Sequence, residues 1–244
     1  MTIAWREWGL ALLDLIFPGE CPICEEGAYM DEGYFACKAC LDKLAWINGS
    51  RCRVCGAGMP LPKNIVLTCS KCRELPFCFT QGRSMFYLDD LGRALIHSIK
   101  YHGNKRVMHD ASHWLSRVDG LRDFLNGSVL VPVPLHRKKL SQRGFNQSVW
   151  IADAFCKLLD KSTVVYDCLD RTRKTPSQTN LSGKERKENV KNAFALKEGT
   201  CLDGFSKFVI MDDVFTTGST LDACARVLLD AGCSEVRVFT LGHG

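Results

Sequence analysis

The stretch IMDDVFTTGSTL, residues 210–221, decides the fold. With Phe208 and Val209 before it, FVIM (208–211) is apolar on both faces, as a central strand of a parallel sheet is. Asp212 and Asp213 follow, then a loop containing Thr216, Thr217, Gly218, Ser219 and Thr220. Leu221, Ala225, Leu228 and Leu229 recur at helical spacing up to Gly232, so a helix begins near Ser219. This order puts the loop at the carboxyl end of a parallel strand and at a helix amino terminus. Backbone N–H groups converge on an anion there, and the helix dipole favours it. The hydroxyls add donors, and Gly218 permits close approach of the backbone. Acids repel phosphate, so the aspartates suit a different part of the ligand: sugar hydroxyls or a bound Mg²⁺. A ribose 5-phosphate unit has both kinds of group. A simple helix cap, with Ser or Thr as N-cap and Asp222 in the first turn, explains one hydroxyl and leaves the acids and the rest of the loop unexplained.

The same alternation extends outward from this stretch. RSMFYL (83–88), VLVPV (129–133), TVVY (163–166) and EVRVFTL (235–241) read as strands. Leu91, Leu95 and Ile99 form a helical stripe; Trp114, Leu115, Val118, Leu121 and Leu125 form a second; Ile151, Phe155, Leu158 and Leu159 form a third. A βαβ series of this kind specifies an α/β domain with a parallel sheet flanked by helices. From Arg171 to Asn192 apolar periodicity disappears, which predicts a long mobile loop of the kind that usually serves function.

Ahead of this series the cysteines cluster. Of fourteen in the chain, nine lie between Cys21 and Cys78, and eight of those form four C-x-x-C pairs. Cys21 and Cys24 are followed after twelve residues by Cys37 and Cys40; Cys52 and Cys55 are followed after thirteen by Cys69 and Cys72. Each pair can turn two thiolates onto one metal, and two pairs complete a tetrahedron, so the spacing predicts two structural zinc ions. Pairing in sequence gives two zinc ribbons; a cross-braced arrangement of first with third pair satisfies the same spacing. Eight cysteines in two four-coordinate sites leave no open position for catalysis. Cys78, Cys156, Cys168, Cys201, Cys224 and Cys233 lack such spacing and read as reduced, mostly buried small hydrophobes.

The chain has 244 residues, 46% of them hydrophobic, enough for a core. Its net charge of +5 is uneven: residues 135–200 hold fourteen Lys/Arg against seven Asp/Glu. That local excess suits an anionic partner, phosphate or nucleic acid, as well as an ordinary solvated surface. Ile3, Leu10, Leu13 and Phe17 predict a short amphipathic helix ending at Pro18, interrupted by Arg6, Glu7 and Asp14 and too short to span a bilayer. It lacks the basic start and cleavage site of an export signal, so the expected location is cytoplasmic and reducing. The expected organisation is an N-terminal helix (1–20), a cysteine module with its own core (21–79) and the α/β domain (80–244).

The opening stretch resembles the phosphoribosyl diphosphate (PRPP) motif of type I phosphoribosyltransferases. That resemblance implies that Asp212 and Asp213 hold ribose hydroxyls and that Thr216 to Thr220 hold the 5-phosphate, with Mg²⁺ accompanying PRPP. Two further segments, VPVPLHRKKLSQRGFNQS (131–148) and TPSQTNLSGKERKENVKNAF (175–194), behind paired ribbons, resemble the ComF family of competence proteins from Cys21 to Leu241. This second resemblance implies a double zinc ribbon joined to a type I phosphoribosyltransferase-like domain. It also implies a role in natural transformation, moving single-stranded DNA into the cytoplasm beside a helicase-like partner at the inner-membrane uptake machinery.

Residues 134–143 follow a strand at the sheet's carboxyl edge, where a diphosphate or a DNA backbone would meet Arg137, Lys138, Lys139 and Arg143. Arg171 and Arg173, with Arg186 inside the long loop, complete the basic set. Trp114, Phe145 and Trp150 suit base stacking, although helical spacing also places them in a core. Two readings follow: a DNA-handling protein that binds PRPP or a nucleotide, and a transferase that moves ribose 5-phosphate from PRPP to an acceptor.

Overall fold

In a computed structural model that describes residues 20–26, 35–60, 62, 66–101, 103, 105–173 and 193–244, a double ribbon leads into a five-stranded parallel sheet. The ribbons carry helices α1 (Lys38–Lys43) and α2 (Ser70–Glu74) and a small parallel pair, β1 (Arg51–Cys52) with β2 (Val66–Leu67). The main sheet comprises β3 (Gln81–Tyr87), β4 (Val129–Pro132), β5 (Val164–Val165), β8 (Lys207–Phe215) and β9 (Glu235–His243), in the order β3-β9-β8-β4-β5. Between β5 and β8 the chain forms an antiparallel pair, β6 (Leu169–Arg171) with β7 (Phe194–Leu196). The chain moves from β4 to one edge at β5, then returns beside β4 as β8 and proceeds the other way. The order therefore reverses between β4 and β8, and a crevice opens at their carboxyl ends.

Strand alternation accounts for the two cores. Val129, Val131, Phe208, Ile210, Val236 and Val238 face one side; Leu130, Val209, Met211, Phe239 and Leu241 face the other. Both faces are covered, which is why the strands are apolar throughout. Helices α3 (Asp90–Tyr101), α4 (Ala111–Arg117), α5 (Leu121–Leu125) and α7 (Gln147–Cys156) pack on one face, with Trp114 and Phe155 completely buried. Helix α8 (Ser219–Asp230) and the β6–β7 pair cover the other. Trp114 is thus a core residue. Phe145 and Trp150 stack on each other at 4.0 Å between centroids and are half-buried.

The cysteine module does not have the separate core expected of it. Cys21, Ile23, Ala36, Cys40, Leu41 and Leu44 merge with the core under α3 and α4, and Cys52, Cys55 and Cys72 with the core under α8. Too few large apolar residues lie in the ribbons to cover themselves, so they borrow the sheet's. Asp110, fully buried, accepts the amides of Phe35 at 2.8 Å and Ala36 at 2.9 Å and ties the first ribbon to α4. Residues 45–47 run along β3: Ile47 N donates to Met85 O at 2.8 Å and Tyr87 N to Ala45 O at 2.9 Å, which covers the sheet's edge. In the second ribbon Gly56, at φ 78°, lies so close to β3 that a Cβ there would be 2.8 Å from the Arg83 Cα.

Among the described residues no helix is long and apolar enough to cross a membrane. The predicted helix at 1–20 lies almost wholly outside the described residues, as does most of the predicted loop, 174–192. Of that segment's flanks, Arg171 is not loop but the last residue of β6, paired with Phe194.

Candidate functional site

The four cysteine pairs group in sequence order. Sγ atoms of Cys21, Cys24, Cys37 and Cys40 all lie within 4.8 Å of one another, and so do those of Cys52, Cys55, Cys69 and Cys72. The Cys24–Cys37 separation is 4.0 Å and the Cys55–Cys69 separation 3.8 Å. Four sulfurs about 2.3 Å from a zinc ion stand about 3.8 Å apart at the corners of a tetrahedron. Both sets therefore fit a structural zinc ion, and the cross-braced pairing is ruled out. Amides aim at the sulfurs: Cys37 N donates to Cys21 Sγ and Cys69 N to Cys52 Sγ, each at 3.3 Å. Burial opposes ionisation of Cys52, yet the N–H groups of Cys69, Cys55 and Val54 bring its thiol down to about 7. Burial pushes Cys55 up to about 12 and drives Cys72 and Cys40 upward as well. Only a dication makes four thiolates acceptable in one place, so metal binding here releases protons.

The second tetrad is joined to the loop at 216–220. Phe77 stacks on Phe79 at 4.8 Å, and both meet the Phe215 ring edge-on at 6.0 and 6.4 Å. Cys78 N donates to Asp222 Oδ1 at 2.7 Å, and Lys71 Nζ donates to Thr216 O at 3.1 Å. Asp222 thus anchors the ribbon to the first turn of α8. Cys78 belongs to that joint, its thiol pushed up to about 12 by burial and by Asp222. Of the other unspaced cysteines, Cys168, Cys224 and Cys233 are buried, Cys156 half-buried and Cys201 exposed.

The crevice between β4 and β8 gathers the acidic and basic residues. Strand β8 runs on to Phe215, so Asp212 and Asp213 lie within the strand and not after it. Pairing with β9 holds the strand past the acids, through Asp212–Thr240 and Val214–Gly242. Asp213, 4% exposed, has Lys100 Nζ of α3 at 2.7 Å from its Oδ2. Asp212 Oδ1 accepts from Ser148 Oγ at 3.0 Å and from Asp213 N at 2.9 Å. Desolvation, and then Asp213, raise the Asp212 carboxyl to about 7.

Residues 137–143, which show no helical stripe in sequence, form a short helix, α6 (Arg137–Arg143). His136 Nδ1 caps it by accepting Lys138 N, and Gly144, at φ 79°, ends it. Asn146 caps α7 through Ser148 N and donates Nδ2 to Val133 O at 3.0 Å, which fixes Ser148 beside Asp212. Arg143 donates to Gln147 Oε1 at 2.5 Å and lies 5.4 Å from the Tyr101 ring centroid. Desolvation, then the charges of Arg143, Lys100 and Arg171, push the Lys139 ammonium below the ordinary lysine range, with Asp213 opposing. Arg171 neighbours Cys224 and Asp212, whose charges oppose the desolvation that lowers its pKa. Lys139, Arg143 and Arg171 are thus brought together. Arg143 and Arg171 are half-buried, Arg137, Lys138, Lys139 and Arg173 are exposed, and Arg186 lies outside the described residues.

The loop closes the arrangement. Gly218, at φ 74°, is the N-cap of α8 and has no side-chain cap bond. Thr217 Oγ1 lies 3.0 Å from Ser219 Oγ and accepts the Ser219 amide at 3.5 Å, so one hydroxyl of the loop serves the first turn of α8. Thr216 is exposed, Thr217 and Thr220 half-buried.

Comparison with known proteins agrees with this architecture. The double zinc ribbon domain family matches residues 12–73. The DNA utilization protein YhgH of Escherichia coli O6:H1 is 30% identical over 237 residues, 93% of this chain and 98% of that protein. The chain belongs to the ComF family. Competence protein ComFC of Bacillus subtilis is 28% identical over 222 residues, covering 84% of this chain and 82% of its own length. Competence protein F of Haemophilus influenzae is 33% identical over 114 residues, 47% of this chain and 49% of the relative.

Three residues of this ComF-family crevice had no signal in the sequence: Lys100, Lys71 and His243. Lys100 ends the α3 stripe and differs in no way from an ordinary helix-terminal lysine. Lys71 sits inside a C-x-x-C pair, where spacing speaks only of metal. His243 stacks on Phe215 at 5.1 Å, and its pKa is pushed down to about 4 by desolvation and then by Lys71. Ser148 stood in the RGFNQS run, but nothing there announced a hydrogen bond to a strand 64 residues away.

Proposed function

We propose that this chain binds the ribose 5-phosphate part of PRPP or a nucleotide in the β4–β8 crevice and handles incoming single-stranded DNA during competence. The reading rests on one observation: Asp212 and Asp213 stand at the sheet's point of reversal, next to the hydroxyl-rich amino end of α8. The loop residues Thr216 to Thr220 would take the 5-phosphate, and the acids the ribose hydroxyls or a Mg²⁺ accompanying PRPP. Arg143, Lys139 and Arg171 would receive the diphosphate or the backbone of a strand laid across the edge. The names of the relatives, competence protein and DNA utilization protein, supply the biological side. A helicase-like partner at the inner membrane would pass the strand to this edge.

Titrating the purified protein with PRPP, ATP and labelled single-stranded DNA under one set of conditions tests the reading. Thr217→Val should weaken ribose phosphate binding by about 1–3 kcal/mol with the fold intact. Asp213→Asn should do the same; an alanine there would also strand the Lys100 ammonium beside a buried gap. No affinity for any ribose phosphate in the wild-type protein sinks the crevice assignment. For DNA, about four neutralised phosphates imply a log–log salt slope of roughly −3. Arg143→Gln should flatten it by about 0.7 and weaken all sequences alike. Binding that ignores salt and this substitution removes the DNA side.

The raised Asp212 carboxyl adds a pH dependence. Below about 7 it is protonated and a poor partner for a cation; above, it is ionised. Mg²⁺-supported PRPP affinity is therefore expected to rise through neutrality, and Asp212→Asn to lose the part of that rise which PRPP's own titration does not supply. A rise of equal size in both proteins overturns the assignment.

A second reading is supported by the facing of acids and cations. Lys139, Arg143 and Arg171 lie where a departing diphosphate would need charge, as transfer of ribose 5-phosphate from PRPP requires. Release of diphosphate from PRPP in the presence of a trial acceptor tests it.

A further inference from the structure

The opposite end of the sheet holds a second concentration of cations. Arg83 is the third residue of β3 and Arg237 the third of β9, so both leave the sheet near its amino-terminal edge. Their guanidinium carbons lie 5.3 and 5.4 Å from the centroid of one ring, that of Phe124 on α5. Arg51 reaches the same place from the second ribbon, held by Nε on Gly49 O and Nη2 on Asp119 O, both at 3.2 Å. Lys207 opens β8 next to Arg237 and donates to Asn126 O at 2.6 Å. Glu235 holds Arg237 at 2.7 Å, and Asp119 neighbours Arg51.

The cluster is not internally satisfied. Among the described residues, Arg51 Nη1 and Arg83 Nε are shielded from solvent and have no hydrogen-bond partner. The three arginines themselves remain half-buried, so other parts of their side chains stay open to a ligand. Charged donors left without an acceptor are costly when buried. Arg83 also sits among the charges of Arg51 and Arg237, and an oxyanion beside the three guanidinium groups relieves that repulsion. Phe124, 4% exposed, floors the notch and holds two of the three planes in place.

We propose that Arg51, Arg83 and Arg237 form a binding site for a phosphate group at the amino-terminal edge of the sheet. A nine-residue strand is about 30 Å long, so this site is separate from the crevice at the carboxyl edge. The chemistry is that of a phosphodiester in a nucleic-acid strand or of free phosphate; in the first form the inference rests on the DNA-handling reading.

The test uses full-length, zinc-loaded protein and the double variant Arg83→Gln/Arg237→Gln. A short labelled oligothymidine is titrated at several salt concentrations, PRPP is titrated separately, and thermal melting is followed with inorganic phosphate. Expected are an oligothymidine affinity lower by about tenfold and a salt slope flatter by about 1.4, two contacts at about 0.7 each. The phosphate-induced rise in melting temperature should shrink, PRPP affinity should hold, and Arg83→Lys/Arg237→Lys should keep most of the slope. If wild-type protein ignores oligothymidine while the double variant still loses its phosphate response, the DNA-handling reading falls and the site stands with free phosphate as its ligand. Unchanged DNA and phosphate responses in a zinc-replete double variant overturn the site. Should the double variant lose zinc, Arg237→Gln alone decides by the same readouts.

Discussion

Stripping zinc from this chain is expected to unfold the parallel sheet together with the ribbons. Residues of both ribbons complete the two cores of the sheet, and Asp110 ties the first ribbon down by two buried hydrogen bonds. A structural zinc ion contributes about 10–16 kcal/mol of apparent binding energy, while a whole domain is stable by about 5–15 kcal/mol. Metal loss therefore exceeds what the remaining contacts supply. Elemental analysis should find two zinc ions per chain, and a strong chelator should abolish the far-ultraviolet signal of the helices in one transition. Cys37→Ser should lower the melting temperature of the whole molecule, since its core is shared. A sheet that melts unchanged after chelation, with its ribose phosphate affinity intact, would show the ribbons to be an independent module.

The second large effect is expected at Gly218. At φ 74° a side chain is strained before any contact is considered, by about 1–2 kcal/mol. A Cβ there would also stand 2.7 Å from the Phe215 ring and 2.8 Å from that of Phe77. Overpacking of this kind costs about 1–3 kcal/mol more, so Gly218→Val should destabilise by about 2–5 kcal/mol. The loop should open as the aromatic rings are pushed back, with ribose phosphate affinity falling by at least about tenfold. Phe77→Ala removes one of the two obstacles and should restore part of both losses, a non-additivity that chemical denaturation of the double variant measures. Equal affinity in wild type and Gly218→Val would mean that the loop does not bind phosphate.

Residues that bear a local rule were legible in the sequence, and residues that meet across the fold were not. Four C-x-x-C pairs announce zinc because tetrahedral coordination restricts spacing, although the choice of pairing needed the fold. FVIM followed by an acidic pair and a hydroxyl-rich loop announced a strand, a loop and a helix in the order observed, since strand–loop–helix order is local. The end of β8 was misjudged at Met211. Aspartates are poor strand residues in isolation, and only the register with Thr240 and Gly242 carries the strand past them. The helix at Arg137–Arg143 was hidden by its own charge: none of its residues is buried, so it has no apolar stripe to read. Lys100 and Ser148 reach the aspartates from α3 and α7 by virtue of where those helices pack, which no short window of residues contains. The shared cores were missed for the same reason.

The pairing of β3 with β9 also has a consequence in time. Ser84 and Thr240, hydrogen-bonded across this register, are 156 residues apart. On a ribosome β3 is finished long before its partner exists, and loop closure over such a span is slow. Residues 45–47, by contrast, lie close in sequence and already pair with β3 on its other side. A ribbon that has captured zinc can therefore shelter β3 while the rest is synthesised. Metal supply during translation would then set how much of the chain reaches the native sheet and how much aggregates, before any question of ligand binding arises.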